Sequence, residues 1–366
     1  MYAIVPQVES QLNSRCSGAA PTLAIFPGAL GDFVCFLPAL DELARKGEVD
    51  LLARSEYGGL LPPPIHALSI ERRELARLFV AGADVDEAEE FFRRYDAIYS
   101  WHGSADAAFR ENFARAAGAK GRLFPFRPAA SRGHITDYYL ASVGAAPGEL
   151  PKIAPRPAAV EWARAWLGAH GLDVKGNNGA SVNGSNFRVK RNNPILVVAP
   201  GSGAKEKNWP RECFRAVVEE WRRSPGGKVA VVLGPAESDE EASFWAEHGA
   251  VARGLKLDEL AALLSLADLY LGNDSGVTHL AAAVGAATLA LFGPTDAAQW
   301  APRGDNAHVV RLGVECSPCE HSTMKICLHR KCLTTLAPRD ILSICNDILT
   351  QEPRRFPNLD KGVGRH

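Results

Sequence analysis

Within seven residues, Asn273-Asp274-Ser275-Gly276-Val277-Thr278-His279 supplies a carboxylate, two hydroxyls, a glycine and an imidazole. The apolar run Leu269 to Leu271 ahead of it reads as a buried strand, and the small apolar residues from Val277 to Gly285 read as a helix. A strand that hands Asp-Ser-Gly to a helix start leaves backbone N–H groups without intrahelical partners at the positive end of the helix dipole. Such an end binds anions, phosphate foremost. A second run, Leu291-Phe292-Gly293-Pro294-Thr295-Asp296, follows closely.

Three further loops carry matching chemistry. Phe26-Pro27-Gly28-Ala29-Leu30-Gly31-Asp32 joins a strand to a helix, and its glycines let backbone pass close to a ligand. Asp32 reads either as that helix's N-cap or as a general base. Pro200-Gly201-Ser202-Gly203-Ala204-Lys205-Glu206-Lys207 leaves the strand Ile195–Ala199, where Ser202, Gly203 and Lys207 can meet phosphate oxygens, with Lys205 as second choice. Gly234-Pro235-Ala236-Glu237-Ser238-Asp239 follows the strand Lys228–Leu233. There Glu237 either accepts ribose hydroxyls or stands exposed beside a helix cap at Ser238 or Asp239. Taken singly, Asp274 could be a turn residue, His279 a core histidine and the lysines solvated. All four loops lie at strand ends, where open α/β sheets bind ligands, and independent turns have no reason to share that placement.

The cysteines fall late in the chain. Cys316-Ser317-Pro318-Cys319 is followed by Cys327 and Cys332, with His321 and His329 interleaved. The spacing allows a metal site, but no second Cys-x-x-Cys occurs, so thiols in a structured loop are expected and no metal is assigned. Cys16, Cys35, Cys213 and Cys345 read as isolated, partly buried residues.

The elements that must hold these loops alternate between short apolar strands and helices, the pattern of parallel α/β layers. Strands are expected at Thr22–Phe26, Val49–Ala53, Ala97–Ser100, Ile195–Ala199, Lys228–Leu233, Leu269–Leu271 and Thr288–Phe292. Helices are expected over Phe33–Arg45, Glu87–Arg94, Ala158–His170 and from Trp209-Pro210 onward, where Phe214, Val217, Val218 and Trp221 share one face. At 366 residues the chain is long enough for two domains. We expect 1–156 and 157–349, with a flexible insertion at 173–193 rich in Gly, Asn and Ser and a tail at 350–366. Two Rossmann-like domains facing one another across a cleft is the economical arrangement.

A formal net charge of −1 argues against a dedicated nucleic-acid binder. The longest apolar run, Leu280 to Gly293, is too short to span a bilayer, and Met1 to Arg15 has no apolar signal-peptide core. A cytoplasmic protein is expected, and eight cysteines there are thiols or metal ligands rather than disulfides.

Taken together, these segments resemble glycosyltransferase family 9, the heptosyltransferases of lipopolysaccharide core assembly. The likeness is carried by Asp274-Ser275-Gly276-Val277-Thr278-His279-Leu280-Ala281-Ala282-Ala283, by Phe292-Gly293-Pro294-Thr295-Asp296, by Trp300-Ala301-Pro302, and by the Gly31-Asp32 and Lys207-Asn208-Trp209-Pro210 stretches. It implies a GT-B fold, with the acceptor on the N-terminal domain and the nucleotide-sugar donor, ADP-heptose, on the C-terminal one. It implies an inverting, metal-independent transfer that needs no cofactor beyond the donor. Asp32 matches the family's proposed general base. Ser202, Gly203 and Lys207 match donor-phosphate contacts, Glu237 the position facing the nucleoside, and Asp274, Ser275, Gly276 and His279 the donor-binding signature. A lipid-linked or glycan acceptor would bring the protein to the cytoplasmic face of the inner membrane as a peripheral partner. Tyr99-Ser100-Trp101-His102-Gly103-Ser104 departs from the Asp/Gln-Gly pattern of the lipopolysaccharide enzymes, so the acceptor and the sugar are not fixed by the resemblance. Two competing readings keep the fold: a nucleotide-sugar epimerase or hydrolase, and a non-catalytic nucleotide-sugar binding protein.

Overall fold

Strands in this chain are short and built from Val, Ile, Leu and Ala, the composition of parallel strands covered on both faces. The computed structural model describes residues 20–128, 133–172, 193–224 and 226–350. The expected insertion at 173–193 and the tail at 350–366 lie almost wholly outside these, as does Cys16. Residue contacts sort the chain into two units. One is made of Pro63–Phe126, Leu43–Ser55 and the described part of Met1–Pro27; the other of Gly28–Glu42, Glu56–Pro62 and the described part of Arg127–His366.

The first unit holds a parallel sheet of β1 (Thr22–Ile25), β2 (Val49–Ala53), β3 (Ile65–Ser69), β4 (Ala97–Ser100) and β5 (Gly121–Leu123), in the order β3-β2-β1-β4-β5. Its core gathers Leu23, Ile25, Leu52 and Ile98 from the strands with Phe91, Phe92, Phe109 and Phe113 from the helices Asp86–Arg93 and Ala107–Ala117. The Tyr99–Ser104 segment closes β4 as a tight core turn: Trp101 is fully buried, and a Cβ on Gly103, at φ +77°, would overlap the Phe109 ring.

The second unit holds a parallel sheet of β6 (Ile195–Ala199), β7 (Lys228–Leu233), β8 (Ala250–Arg253), β9 (Leu269–Asn273), β10 (Thr288–Phe292) and β11 (Ala307–Arg311), in the order β11-β10-β9-β6-β7-β8. The helix Arg211–Arg223 buries Phe214, Val217, Val218 and Trp221 against it, the face its spacing predicts. Pro210 sits at that helix's N-cap rather than at the first helical position expected for it, which Arg211 takes. The helix Leu30–Ala44 belongs to this unit as far as Glu42.

In each sheet the strand order reverses beside the first strand. β1 lies between β2 and β4, and β6 lies between β7 and β9. Loops that leave the carboxyl ends of strands at such a reversal diverge to opposite sides and open a crevice for ligands. The 200–210 loop after β6 and the 274–276 turn after β9 flank that point in the second sheet.

Candidate functional site

At the reversal point of the second sheet, Asn273 ends β9 fully buried and ties the two loops together. Its Nδ2 donates to the Pro200 carbonyl at 2.7 Å and its Oδ1 accepts the Trp209 N–H at 2.8 Å. The loop between those anchors carries Lys207. Lys207 Nζ donates to Asp274 Oδ2 at 2.7 Å, and Thr295 Oγ1 donates to the same oxygen at 2.6 Å. Asp274 is buried, so its charge needs these partners. The carboxylate fixes the lysine and the threonine fixes the carboxylate, which makes Asp274 a counter-ion that aims Lys207. The Ser202 hydroxyl lies 2.7 Å from the Ala204 carbonyl and 2.6 Å from Asn208 Oδ1, closing its own loop. Gly203 has open space where a Cβ would stand.

After β7, Glu237 folds back on its own turn. Its Oε2 accepts the Gly234 N–H at 2.7 Å, while Ser238 caps the following helix by accepting the Glu241 N–H. Ser238 is therefore the cap, and Glu237 is half-buried rather than free on the surface. The carboxylate lies over Gly201, where a Cβ would come within 1.9 Å of Glu237 Oε1 and 2.7 Å of its Cδ. Gly201→Ala must evict Glu237 from its seat. If Glu237 faces the nucleoside, ADP affinity measured by calorimetry is expected to fall roughly tenfold, about 1.4 kcal/mol. Unchanged ADP binding would remove Glu237 from the site.

The helix Gly276–Ala283 begins with Ser275 as its N-cap, whose hydroxyl accepts the Thr278 N–H. The amides of Gly276 and Val277 stand in the first turn, ahead of the intrahelical ladder. This start packs against the turn after β1. A Cβ on Gly276 would lie 2.8 Å from Leu30 Cβ and 2.9 Å from the Gly31 amide nitrogen, and a Cβ on Gly31 would lie 3.3 Å from His279 Cδ2. Two glycines thus let two backbones touch. His279 is buried beneath them with Nδ1 3.5 Å from Cys35 Sγ. Burial pushes His279 below the usual histidine range against the opposing pull of Asp274 and Asp32, and it pushes the Cys35 thiol up to about 12. Both groups sit neutral at pH 7.

Asp32 lies in the first turn of the helix Leu30–Ala44, three residues beyond Ala29, whose carbonyl accepts the Phe33 N–H. It is therefore not the N-cap. Tyr57 buttresses the turn, stacking on Phe33 at 4.1 Å between centroids and donating its hydroxyl to the Gly28 carbonyl at 2.9 Å. Asp32 is only 8% exposed and meets Arg127, whose Nη2 stands 2.8 and 2.9 Å from the two carboxylate oxygens. The Arg127 guanidinium also lies 5.0 Å from the centre of the Trp300 ring. Sequence reasoning missed Arg127: it lies 95 positions from its partner in a loop with no motif. Thr295 was visible within its motif, but its bond to Asp274 was not.

Two further ties join the segment after Arg127 to the Trp300 region. Arg303 clamps Asp137 with two bonds of 2.6 Å, and His134 Nε2 lies 2.8 Å from the Ala301 carbonyl. His134 Nδ1 accepts the Thr136 N–H, so Nε2 carries the proton and donates. Burial, helped by Arg303, pushes His134 down to about 4. A histidine lowered on folding stabilises the fold fully above its unfolded value of 6.5, and that contribution is lost as pH falls through about 4. His134→Asn keeps a capping oxygen without the titration. Denaturant melts at pH 7 and 4.5 are expected to show a fall in stability smaller for the variant by about 2–3 kcal/mol. Equal falls would assign the acid sensitivity elsewhere.

The late cysteines pack as a loop. The Cys319 N–H donates to the Pro294 carbonyl, the Cys319 thiol lies 2.9 Å from the Cys316 carbonyl, and Cys327 lies 3.8 Å from the His329 ring nitrogens. Burial, with the neighbouring Cys319, Cys316 and Cys327, pushes Cys332 up to about 11. Among the described residues, no group of three or more His, Cys, Asp or Glu is placed to hold a metal ion.

Residues 168–328 match glycosyltransferase family 9 (heptosyltransferase). Lipooligosaccharide heptosyltransferase 2 of Campylobacter jejuni is 26% identical over 182 residues, 44% of this chain and 56% of its own. The chain thus spans little more than half the length of that curated relative. The glycosyl transferase family 9 protein of Veillonella parvula superposes with a TM-score of 0.67 at 19% identity, over 91% of this chain and 98% of its own. The ADP-heptose lps heptosyltransferase II of E. coli gives 0.62 at 16% identity, over 91% and 100%. The fold is that of the GT-B heptosyltransferases, an α/β architecture with two parallel sheets.

Proposed function

We propose, from a chain whose residues 168–328 match glycosyltransferase family 9, that the protein transfers heptose from ADP-heptose to a lipopolysaccharide-core or related envelope glycan. The observation that carries the reading is the contact of Gly31 with Gly276, which sets a carboxylate-bearing turn against an anion-binding helix start. A donor diphosphate would lie along the amides of Gly276 and Val277 beside Lys207, its nucleoside toward Glu237. Asp32 would accept the proton of the acceptor hydroxyl as that oxygen bonds to the anomeric carbon. The bond from that carbon to the diphosphate breaks on the opposite face, so the configuration inverts. Negative charge then grows on the leaving oxygen, where Lys207 and the helix start meet it by preorganised electrostatics. That supply of positive charge supports a metal-independent transfer.

In this reading residues 1–156 hold the acceptor and 157–349 the donor, with the protein meeting its acceptor at the cytoplasmic face of the inner membrane. Among the described residues no helix is long and apolar enough to cross a membrane. A thermal-shift screen of nucleoside diphosphates and their sugars, followed by transfer assays, tests the proposal. Selective stabilisation by ADP-heptose and acceptor-dependent release of ADP are expected. Release of ADP without an acceptor would make the protein a hydrolase, and indifference to every nucleotide would remove the donor site.

A further inference from the structure

We propose that the loop Lys325–Lys331 is a membrane-contact tip that enters the surface of an anionic bilayer. It projects between two anchors. Met324 is buried on one side; Cys332 and Leu333 are buried on the other, Leu333 so close to Gly293 that a Cβ there would lie 2.5 Å from its Cγ. Between the anchors the most exposed large apolar side chains of the described residues stand almost free: Ile326 is 76% and Leu328 98% exposed. Cys327 between them is extended, at φ −70° and ψ 112°, which turns side chains two apart toward the same side.

Among the described residues nothing explains holding these two in water, because the anchors already fix the loop. The loop's own charged residues carry one sign of charge. Lys325, Arg330 and Lys331 are cationic, His329 is exposed, and no acidic residue lies between Met324 and Lys331. Apolar tips ringed by lysine and arginine suit a headgroup layer, where the tips reach the acyl boundary and the cations meet anionic lipid. Two side chains are too small a patch for a stable protein interface, which buries about 1,000 Å² or more. A bilayer closes around a small wedge without needing a matching shape. Arg330 serves a second purpose, donating to the Lys205 and Asn208 carbonyls, so the tip is tied to the loop that carries Lys207.

The inference goes beyond the proposed transfer and is read by binding alone. The full-length protein is floated with phosphatidylglycerol–phosphatidylcholine vesicles and with pure phosphatidylcholine vesicles, at low and high salt. Binding to the anionic vesicles, weakened by salt, is expected. Ile326→Ser with Leu328→Ser should reduce partitioning roughly tenfold or more, and Lys325→Gln with Lys331→Gln should lower it and flatten its salt dependence. An unchanged melting temperature in both variants shows that they fold. The proposal is overturned if the native protein does not float, or if the Ser pair floats as well as the native protein. It is also overturned if light scattering shows the Ser pair splitting an oligomer without vesicles, since a second copy would then cover the tip.

Discussion

Asp32→Asn is expected to bind the nucleotide-sugar donor nearly as well as the native protein and to lose turnover by about 10²- to 10⁴-fold, the range of a lost general base. The substitution keeps shape and removes only the ability to take a proton. Asp32 is positioned by backbone rather than by its own charge: Tyr57 and Phe33 hold the turn, and Gly31 abuts Gly276. The variant should therefore leave the helix start at Ser275 in place, and ADP titrations should show it. Arg127 adds a condition. Its Nη2 faces both carboxylate oxygens, so in the proposed transfer an acceptor hydroxyl must displace it from at least one. The arginine can leave because its side chain is 56% exposed while Asp32 is buried. Single-turnover rates with donor and acceptor saturating would isolate the chemical step. More than a tenth of native activity in the variant would exclude Asp32 as the base.

Seven of the strands were legible from apolar runs alone: β1, β2, β4, β6, β7, β9 and β10, every one of them interior to its sheet. The four that were not, β3, β5, β8 and β11, are the four edges. An edge strand has a neighbour on one side only, so its sequence admits polar residues, as in Ile65-His66-Ala67-Leu68-Ser69 and Ala307-His308-Val309-Val310-Arg311. The site divides in a similar way. Residues supplied by one strand end, such as Asp274-Ser275-Gly276, declare themselves through local spacing. Residues recruited from afar do not. Arg127 reaches Asp32 and Gly201 makes room for Glu237, and each relation exists only once the sheets have brought separate loops together.

Lys207→Met is expected to cost turnover about 10²- to 10³-fold, comparable to removing one preorganised donor from a developing oxyanion. The same change has a structural consequence that must be separated from catalysis. It leaves the buried Asp274 carboxylate with Thr295 but without its counter-charge. Stability should fall by about 1–3 kcal/mol, less than for a wholly buried pair because the lysine retains some solvent. Asp274→Asn in the Lys207→Met background removes the stranded charge and should restore most of that stability. It should not restore turnover, because the cation that the proposed transfer sets beside the leaving diphosphate is still missing. Asp274→Asn alone should keep the lysine but loosen its aim, with a smaller loss of activity than Lys207→Met. Thr295→Val, which frees the carboxylate while sparing its ion pair, should cost less again. If the double variant regains turnover together with stability, Lys207 serves the fold rather than the leaving group, and the charge must be met by the helix start alone.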